Sequence, residues 1–373
     1  MKTHLARWAR QRAAAALAVL LLAFASHASA QDPVIAPEHE ADLAFVLDVL
    51  EKDYAGWPTK IEGREEEFAR EVDLARERIA ENPAARLWAI GMMLEWFEDD
   101  HLGTRSKIVS PANPWADQAR PGRTFTYTPA LSNEFAVTRL SPDTIMVRMP
   151  NFYNENTDAI AALLAEHHDA ITSTPNLLID LRGNNGGRDG AYEPLMAYLY
   201  TRPIYSIAPA IRATPRNMAT LQANVDAGEY PAEVHAWVKS ILDRAAASGE
   251  EWVPMLEEGF QIETFPQVYG FPKRVGILTE GAASSGDQFV MDARFSRKVT
   301  LLGAPTAGVI DYSNMIEKLA PSGDFELYWP MTRSMRLPEE PFDNVGVPVD
   351  VAYPEGVTDQ IEWAKAWLES RPD

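Results

Sequence analysis

Residues 274–289 read R-V-G-I-L-T-E-G-A-A-S-S-G-D-Q-F and contain the pattern that decides the fold. The apolar run at 275–278 is rich in β-branched residues and is soon followed by a glycine, which predicts a short buried strand. The apolar spacing that begins at Asp287 predicts an amphipathic helix. Ser284 and Ser285 therefore lie at a strand-to-helix turn.

This serine turn has two interpretations. Backbone N–H groups at a helix N-terminus can stabilise developing negative charge, so a serine at such a turn has the surroundings that a nucleophile needs. A serine or aspartate at the same place is also a common helix cap with no chemical role. The segment alone leaves both interpretations open.

A second turn lies upstream, where the apolar strand predicted at 177–181 runs into the sequence G-N-N-G-G at 183–187. Glycine and asparagine tolerate positive φ, and such turns let backbone N–H groups approach a ligand oxygen closely. The pattern is typical of an oxyanion-binding loop, and it is equally typical of a plain tight turn.

Histidines are few, which narrows the search for a general base. Outside the first 30 residues they are His39, His101, His167, His168 and His235. His101 ends the run E-D-D-H, where predicted helices give way to predicted strands, at the expected edge of a cleft. Most isolated histidines are structural or solvated, but for a serine that needs a base His101 is the best placed candidate.

The first 30 residues have the features of an export signal. Four basic residues precede or open an apolar stretch at 13–25, and Ala28-Ser29-Ala30 is a small-residue cleavage motif. The apolar stretch is too short for a normal membrane span, and no later run approaches about 20 apolar residues. We therefore expect a signal peptide at 1–30 and a periplasmic or secreted mature protein without a stable membrane span.

Charge and cysteine content exclude several classes of function. The chain has a formal charge of −20, and removal of the signal leaves 30 basic and 54 acidic residues, a charge near −24. Such a balance disfavours nucleic acid and anionic membranes as partners. The absence of cysteine removes disulfides, thiolate catalysis and cysteine-based metal sites. No cluster of histidine and aspartate has metal-ligand spacing, so no metal or other cofactor is expected.

The order of the predicted elements indicates an α/β fold. Residues 31–100 have mostly helical spacing and are expected to form an N-terminal helical subdomain. From 101 to 373 strands and helices alternate, which predicts a partly parallel sheet. Besides those already named, strands are predicted at 125–128, 135–140, 144–149 and 299–302, and helices at 157–170, 193–200 and 233–246.

A long mixed insert occupies about 209–268. Aromatic residues in and just beyond it could line an apolar ligand pocket, or they could pack a subdomain or a dimer surface. They are Tyr230, Trp237, Trp252, Phe260 and Tyr269.

Taken in order, these segments resemble the tail-specific (C-terminal processing) peptidases and their relatives, the tricorn core peptidases and the retinoid-binding-protein repeats. The shared segments are D-x-H ending at His101, I-x-V-R-M-P-N-F at 145–152, D-L-R-G-N-x-G-G at 180–187, S-x-G-D at 284–287, G-x-P-T-A-G at 303–308 and G-V-x-V-D at 346–350. They lie within residues 38–352. The resemblance implies a mixed β-sheet core of the ClpP/crotonase type and the chemistry of a serine peptidase.

The resemblance also implies roles for residues of the two turns. Ser284, three residues before Asp287, takes the position of the nucleophile. Ser285 would donate one N–H group to the oxyanion, and the pair Gly186-Gly187 would supply the other.

The base and the acid follow from the branch of the family that the chain resembles. Processing peptidases place a lysine after the T-x-G turn, where this chain has Val309, so a Ser-Lys dyad is not expected. The tricorn-like branch uses a histidine and a late acidic residue, which match His101 and Asp343, with Glu340 as the alternative acid. A carboxylate beside the imidazole would fix its tautomer and stabilise the imidazolium.

Two functions remain open on the sequence. The combination of serine, histidine and acid favours an exported hydrolase that cleaves peptide or ester bonds through an acyl-enzyme, with a peptide or protein as its partner. A non-catalytic relative that binds an apolar ligand or a peptide could keep the same fold. About 40 residues separate His101 from Thr144, too few for the PDZ module of the family, so a PDZ-less chain is expected. A homo-oligomer is compatible with the sequence.

Overall fold

The structure is a computed structural model that describes residues 35–118, 131–228 and 232–371. The expected signal peptide at 1–30, the strand predicted at 125–128 and Tyr230 lie outside the described residues. The helices are α1 (Pro37–Lys52), α2 (Trp57–Lys60), α3 (Glu65–Glu81), α4 (Arg86–Leu94), α5 (Thr157–Glu166), α6 (His168–Ile171), α7 (Glu193–Leu199), α8 (Pro215–Ala227), α9 (Ala232–Ser248), α10 (Ser285–Ala293) and α11 (Gln360–Glu369).

The strands are β1 (Gly103–Ser106), β2 (Ala136–Arg139), β3 (Thr144–Arg148), β4 (Asn176–Asp180), β5 (Ile204–Ile207), β6 (Pro209–Arg212), β7 (Trp252–Pro254), β8 (Phe260–Glu263), β9 (Arg274–Leu278), β10 (Val299–Gly303), β11 (Tyr312–Leu319), β12 (Phe325–Ser334) and β13 (Val351–Ala352). Short 3₁₀ turns occur at Pro83–Ala85, Glu95–Phe97, Asn154–Asn156 and Asp189–Ala191.

A six-stranded sheet in the order β13-β10-β9-β4-β3-β2 forms the centre of the fold. Its strands run parallel except β2, which pairs antiparallel with β3 at one edge. Parallel neighbours need crossover connections, which α5 and α6 provide between β3 and β4, and α10 provides between β9 and β10. The predicted mixed α/β class is confirmed.

Both faces of this sheet are covered because successive side chains of a strand point in opposite directions. In β4, Leu177 and Ile179 belong to the core that includes residues of α5, α7 and α10, whereas Leu178 faces α11. Gly276 of β9 lies close to α11, since a Cβ there would be 3.2 Å from a methyl group of Leu368. The near-continuous apolar runs that predicted buried strands have this two-sided burial as their cause.

A second core forms where the N-terminal helices meet an antiparallel sheet in the order β1-β12-β6-β7, with β11 paired to β12. The fully buried side chains of Leu43, Ile90 and Trp329 lie in this core. Residues of α8, α9 and β7 pack against the same cluster. This core therefore combines the N-terminal helices with residues of the insert at 209–268 and with a late hairpin.

The aromatic residues of the insert lie in separate surroundings. Trp252 packs under an arginine of β12, with the guanidinium carbon 3.8 Å from the ring centroid. Phe260 packs on a tyrosine of β5 at 5.0 Å, and Tyr269 stacks on a tyrosine of α7 at 5.6 Å. These three side chains pack against different elements, which fits a packed subdomain better than one shared ligand pocket, and Trp237 of α9 is exposed.

None of the helices in the three described stretches is both long enough and apolar enough to span a bilayer.

Candidate active site

Three turns meet at the carboxyl edge of the parallel strands β4, β9 and β10. The glycine loop after β4 and the serine turn after β9 are joined by the N–H group of Ala283, which donates to the Asn184 carbonyl at 2.8 Å. The turn after β10 joins them because Ala307 N–H donates to the Ala282 carbonyl at 2.7 Å. Ligand sites of open parallel sheets lie at this edge, so the fold gathers the predicted motifs where chemistry is expected.

Ser284 has a strained backbone at the start of α10. Its φ of 58° and ψ of −119° are rarely adopted by a residue with a side chain. The Ser284 N–H group donates to the Asp287 carboxylate at 2.8 Å, and the fully buried Phe289 and Val290 fix the helix that follows. Burial of each of these side chains stabilises the fold by about 1.5–3 kcal/mol, which is enough to offset the backbone strain at Ser284.

Asp287 links the serine turn to the turn after β10. Its carboxylate, which is fully buried, also accepts hydrogen bonds from the N–H groups of Gly308 at 3.0 Å and Val309 at 3.1 Å. Burial raises the pKa of Asp287 to about 6, although hydrogen bonds from Thr306 and from the backbone act in the opposite direction. The sequence marked Asp287 as part of the motif and gave no sign of this bridging contact.

Two backbone N–H groups near Ser284 are candidates to bind an oxyanion. Ser285 is the first residue of α10, where N–H groups lack helical partners, and the glycine loop packs against it: a Cβ on Gly186 would lie 2.9 Å from Ser285 N. Gly186 N–H itself donates to the Asn184 side chain at 2.8 Å. Of the predicted pair, the Gly187 N–H has no hydrogen-bond partner among the residues that the structure describes.

Ser285 is buried, and its hydroxyl group lies near the carboxylate of Asp189, just beyond the glycine loop. Asp189 is exposed to solvent, and desolvation of its carboxyl group by the neighbouring protein raises its pKa above the ordinary value. Ser284 is the N-cap residue of α10 and forms a capping box with Asp287, which is the helix-cap arrangement that the sequence left open.

His101 is buried and is held at its backbone and at its ring. The His101 N–H group donates to the Asp99 carboxylate at 2.9 Å, and Asp99 also accepts from the Tyr54 hydroxyl at 2.7 Å. The ring atom Nδ1 lies 2.6 Å from the Tyr312 carbonyl oxygen. A carbonyl oxygen can only accept, so Nδ1 carries the proton and Nε2 of the neutral ring keeps its lone pair.

Asp343 does not make the direct contact with the imidazole that the resemblance implied. Its Oδ1 accepts hydrogen bonds from the N–H groups of Ile310 and Asp311, both at 2.8 Å. Within the described chain the His101 ring hydrogen bonds to the Tyr312 carbonyl and neither to Asp343 nor to the Ser284 hydroxyl. Catalytic hydrogen bonds are often long in unliganded enzymes and shorten with substrate.

The surroundings of Asp343 are acidic. Burial and the nearby carboxylates of Asp99 and Asp311 raise the pKa of Asp343 to about 7, while the ammonium group of Lys60 acts in the opposite direction. Glu340, the alternative acid, is exposed, and its carbonyl oxygen accepts from Arg336.

The nucleophile turn and the imidazole are attached to one short stretch of chain, residues 308–312. Asp287 binds the N–H groups of both Ser284 and Val309, and the Tyr312 carbonyl binds His101. Three residues of extended chain span about 10 Å, so Ser284 and His101 are brought to the same end of the central sheet.

Sequence reasoning did not identify Asp311 or Tyr312. Tyr312 contributes a main-chain carbonyl, which carries no side-chain signal. Asp311 is only 2% exposed, and its signal is a single acidic residue within the sequence G-V-I-D-Y at 308–312. In the part of the chain that the structure covers, no three His, Asp or Glu side chains converge as metal ligands would.

Comparisons with known proteins identify the family and the fold. The sequence profile of Peptidase family S41 matches residues 143–352, a segment that includes the glycine loop, the serine turn and Asp343 but not His101. A search of curated proteins finds no match.

Solved structures with the same fold include mature CPAF complexed with lactacystin, with a TM-score of 0.63 and 13% identity over 89% of this chain and 97% of that one. A candidate peptidase from Parabacteroides merdae superposes with a TM-score of 0.58 and 14% identity over 91% of this chain and 99% of the other. At these identities the likeness establishes the fold, and the profile match over more than half of the sequence establishes the family. The chain belongs to peptidase family S41 and is a serine peptidase.

Proposed function

We propose that the chain is an exported peptidase that cleaves peptide bonds through an acyl-enzyme on Ser284, with His101 as general base and Asp343 as the acid of the site. The observation that carries this proposal is the hydrogen bond between His101 Nδ1 and the Tyr312 carbonyl. It leaves Nε2 as the basic nitrogen, at the same edge of the sheet as a strained serine turn.

Acylation begins when the Ser284 oxygen attacks the carbonyl carbon of the scissile peptide bond. The hydroxyl proton passes to Nε2 of His101, and the carbonyl electron pair moves to oxygen, which becomes an oxyanion. The N–H groups of Ser285 and Gly187 are the donors for this oxyanion. Preorganised donors of this kind lower the barrier because they need no reorientation during the reaction; removal of one such donor costs roughly 10²–10³ in rate.

The oxyanion then collapses, the C–N bond breaks, and the leaving amine takes the proton from the imidazolium. Water attacks the Ser284 ester by the same sequence of proton transfers, which releases the carboxylic acid and restores the serine. The Tyr312 carbonyl keeps Nδ1 protonated throughout, so one tautomer serves both halves of the cycle.

Hydrolysis of an unstructured protein tests this function. We expect the purified mature chain to cleave denatured casein and the Ser284→Ala protein to be inactive, because that substitution removes the attacking atom alone. A parallel assay with a p-nitrophenyl ester separates a peptidase from an esterase, since the latter would hydrolyse only the ester. If the wild-type chain cleaves neither substrate but binds an apolar ligand or a peptide, the non-catalytic alternative replaces this proposal.

Export and a PDZ-less architecture are part of the proposal. Export is supported by the basic start, the apolar stretch and the A-x-A motif of residues 1–30. The short chain between His101 and Thr144 supports selection of substrates by the site itself. Expression with the native leader should give a protein whose N-terminal residue is Gln31, measured by intact mass. A cytoplasmic product that retains Met1 would contradict export.

A further inference from the structure

We propose that Asp343 positions His101 through the main chain of residues 310–312, as a hydrogen-bond acceptor whose negative charge is dispensable, and that Asp311 is a second positioning residue of the same unit. The proposal rests on the roles given above to Ser284 and His101, and it assigns Asp343 a different task from that of a charged partner of the imidazole.

The path from Asp343 to the ring is continuous. Oδ1 of Asp343 holds the N–H groups of Ile310 and Asp311, each at 2.8 Å. The next residue, Tyr312, offers its carbonyl to His101 Nδ1 at 2.6 Å. Two consecutive N–H groups held on one oxygen anchor the peptide planes on either side of Ile310. Only the φ and ψ angles of Asp311 and Tyr312 separate these planes from that of the Tyr312 carbonyl, so we infer that the placement of this carbonyl, and with it the imidazole, depends on Asp343.

Asp311 completes the unit by the reciprocal contact. Its Oδ2 accepts from the N–H groups of Phe342 at 2.7 Å and Asp343 at 2.8 Å, and its Oδ1 accepts from the Arg336 guanidinium at 3.3 Å. Each carboxylate thus holds the backbone of the segment that carries the other. Removal of either would leave two backbone N–H groups without a protein acceptor, a cost of about 1–3 kcal/mol for each buried group.

The surroundings of Asp343 favour its neutral carboxyl group, which still accepts hydrogen bonds, over the carboxylate anion. The carboxylates of Asp99 and Asp311 surround it, and the ammonium group of Lys60, which lies 5.1 Å from the Tyr312 ring centroid, is the neighbouring cation. Burial and these carboxylates raise the pKa of Asp343 to about 7, so its neutral form is far more accessible than that of an ordinary aspartate. Oδ1 can accept hydrogen bonds whether or not the carboxyl group of Asp343 is protonated. Asp343 can therefore position the backbone in both states, whereas a role that needs its negative charge would be lost on protonation.

Asparagine at position 343 separates the two roles, because its amide oxygen can replace Oδ1 while the charge is gone. The measurement is the second-order rate of labelling by a fluorophosphonate between pH 5 and 9. We expect Asp343→Asn to stay within about fivefold of the wild type, the effect of roughly one hydrogen bond. Asp343→Ala should fall by about 100-fold, as expected for a displacement of about 1 Å in a reacting group.

The role of Asp311 is tested by combining its substitution with that of Asp343. Asp311→Ala should fall by a similar factor, and the double variant with Asp343→Ala should be hardly slower than either single variant, because both remove the same unit. Asp42→Ala is the matched control: Asp42 is a buried carboxylate that accepts a backbone N–H group, that of Ser322, at 3.0 Å in the other core. Its labelling rate should equal that of the wild type at temperatures where all variants are folded.

Two labelling results would overturn the proposal. A loss of roughly 10⁴-fold in Asp343→Asn would show that the charge is required, as for the buried aspartate of a charged triad. Wild-type rates in Asp343→Ala would show that Asp343 does not position the base.

If the wild-type protein is not labelled at all, the proposed function fails. The position of the His101 ring is then measured by nuclear magnetic resonance on protein labelled with ¹⁵N-histidine. The His101 Nδ1–H signal, assigned by its loss in His101→Gln, should be protected from exchange in the wild type and in Asp343→Asn, and lost in Asp343→Ala. An unchanged signal in Asp343→Ala would overturn the proposal independently of catalysis.

Discussion

Replacement of Gly186 by alanine is expected to separate the glycine loop from the nucleophile turn. Gly186 has a φ of +71°, and an added Cβ would lie 2.6 Å from both the Ala283 carbonyl oxygen and the Ser284 Cβ. Ordinary contacts of a Cβ begin at 3.4 Å, so the two turns must move apart by about 0.8 Å. Because a misplacement of about 1 Å costs roughly 100-fold in rate, we expect fluorophosphonate labelling to slow by about that factor.

Gly183→Ala is the matched control in the same loop. Gly183 also has a positive φ, of +64°, but an added Cβ would meet its nearest atom, a methyl group of Leu131, at 3.6 Å. Both variants should lose about 1–2 kcal/mol of stability to the left-handed backbone, and Gly186→Ala should lose more in urea unfolding because its Cβ also meets neighbouring atoms at 2.6 Å. Only the Gly186 variant should lose labelling rate. Equal labelling rates in the two variants would refute the contact between the glycine loop and the serine turn as a determinant of reactivity.

His101→Gln should slow labelling by roughly 10²–10⁴-fold, and a normal rate in this variant would exclude His101 as the base. The stability of the fold should fall as pH rises. Burial raises the pKa of Asp287 to about 6 and that of Asp343 to about 7, above the ordinary 3.8. The folded state therefore binds protons at these two carboxyl groups more tightly than the unfolded state does. Their contribution to the free energy of unfolding is lost as pH rises from about 4 through 7, and for Asp287 it amounts to about 3 kcal/mol. Urea unfolding should show greater stability at pH 5 than at pH 8, with a smaller difference in Asp343→Asn; the reverse order would contradict the burial argument.

The parts of the site that follow from local pattern could be predicted from the sequence. A strand, a glycine-rich or serine-containing turn and a helix occupy consecutive residues, so the serine turn at 284–287 and the glycine loop at 183–187 are found where the pattern places them. Burial of β4 and β9 on both faces explains why their apolar runs are unbroken. Nothing in such a pattern states that Asp287 ties the serine turn to a third turn.

The parts that depend on distant packing could not be predicted. The hairpin of β11 and β12 could not be predicted, because β12 contains Pro330, which usually argues against a strand, and because the polar residues of β11 occur in pairs and do not alternate with apolar ones. The partner of the His101 ring is a main-chain carbonyl, which every residue possesses, so no residue type could mark it. Asp343 was identified by its position in the sequence, but its hydrogen-bond partners are set by where the N–H groups of residues 310–311 come to lie.

Mapping of the covalent adduct tests the central claim most directly. The protein is treated with a fluorophosphonate near neutral pH, digested, and sequenced by mass spectrometry across residues 274–297. We predict a single adduct on Ser284, no adduct in Ser284→Ala, and most of the labelling retained in Ser285→Ala, whose backbone N–H group is unchanged. An adduct on Ser285, or labelling that persists in Ser284→Ala, would contradict the assignment of Ser284 as the nucleophile.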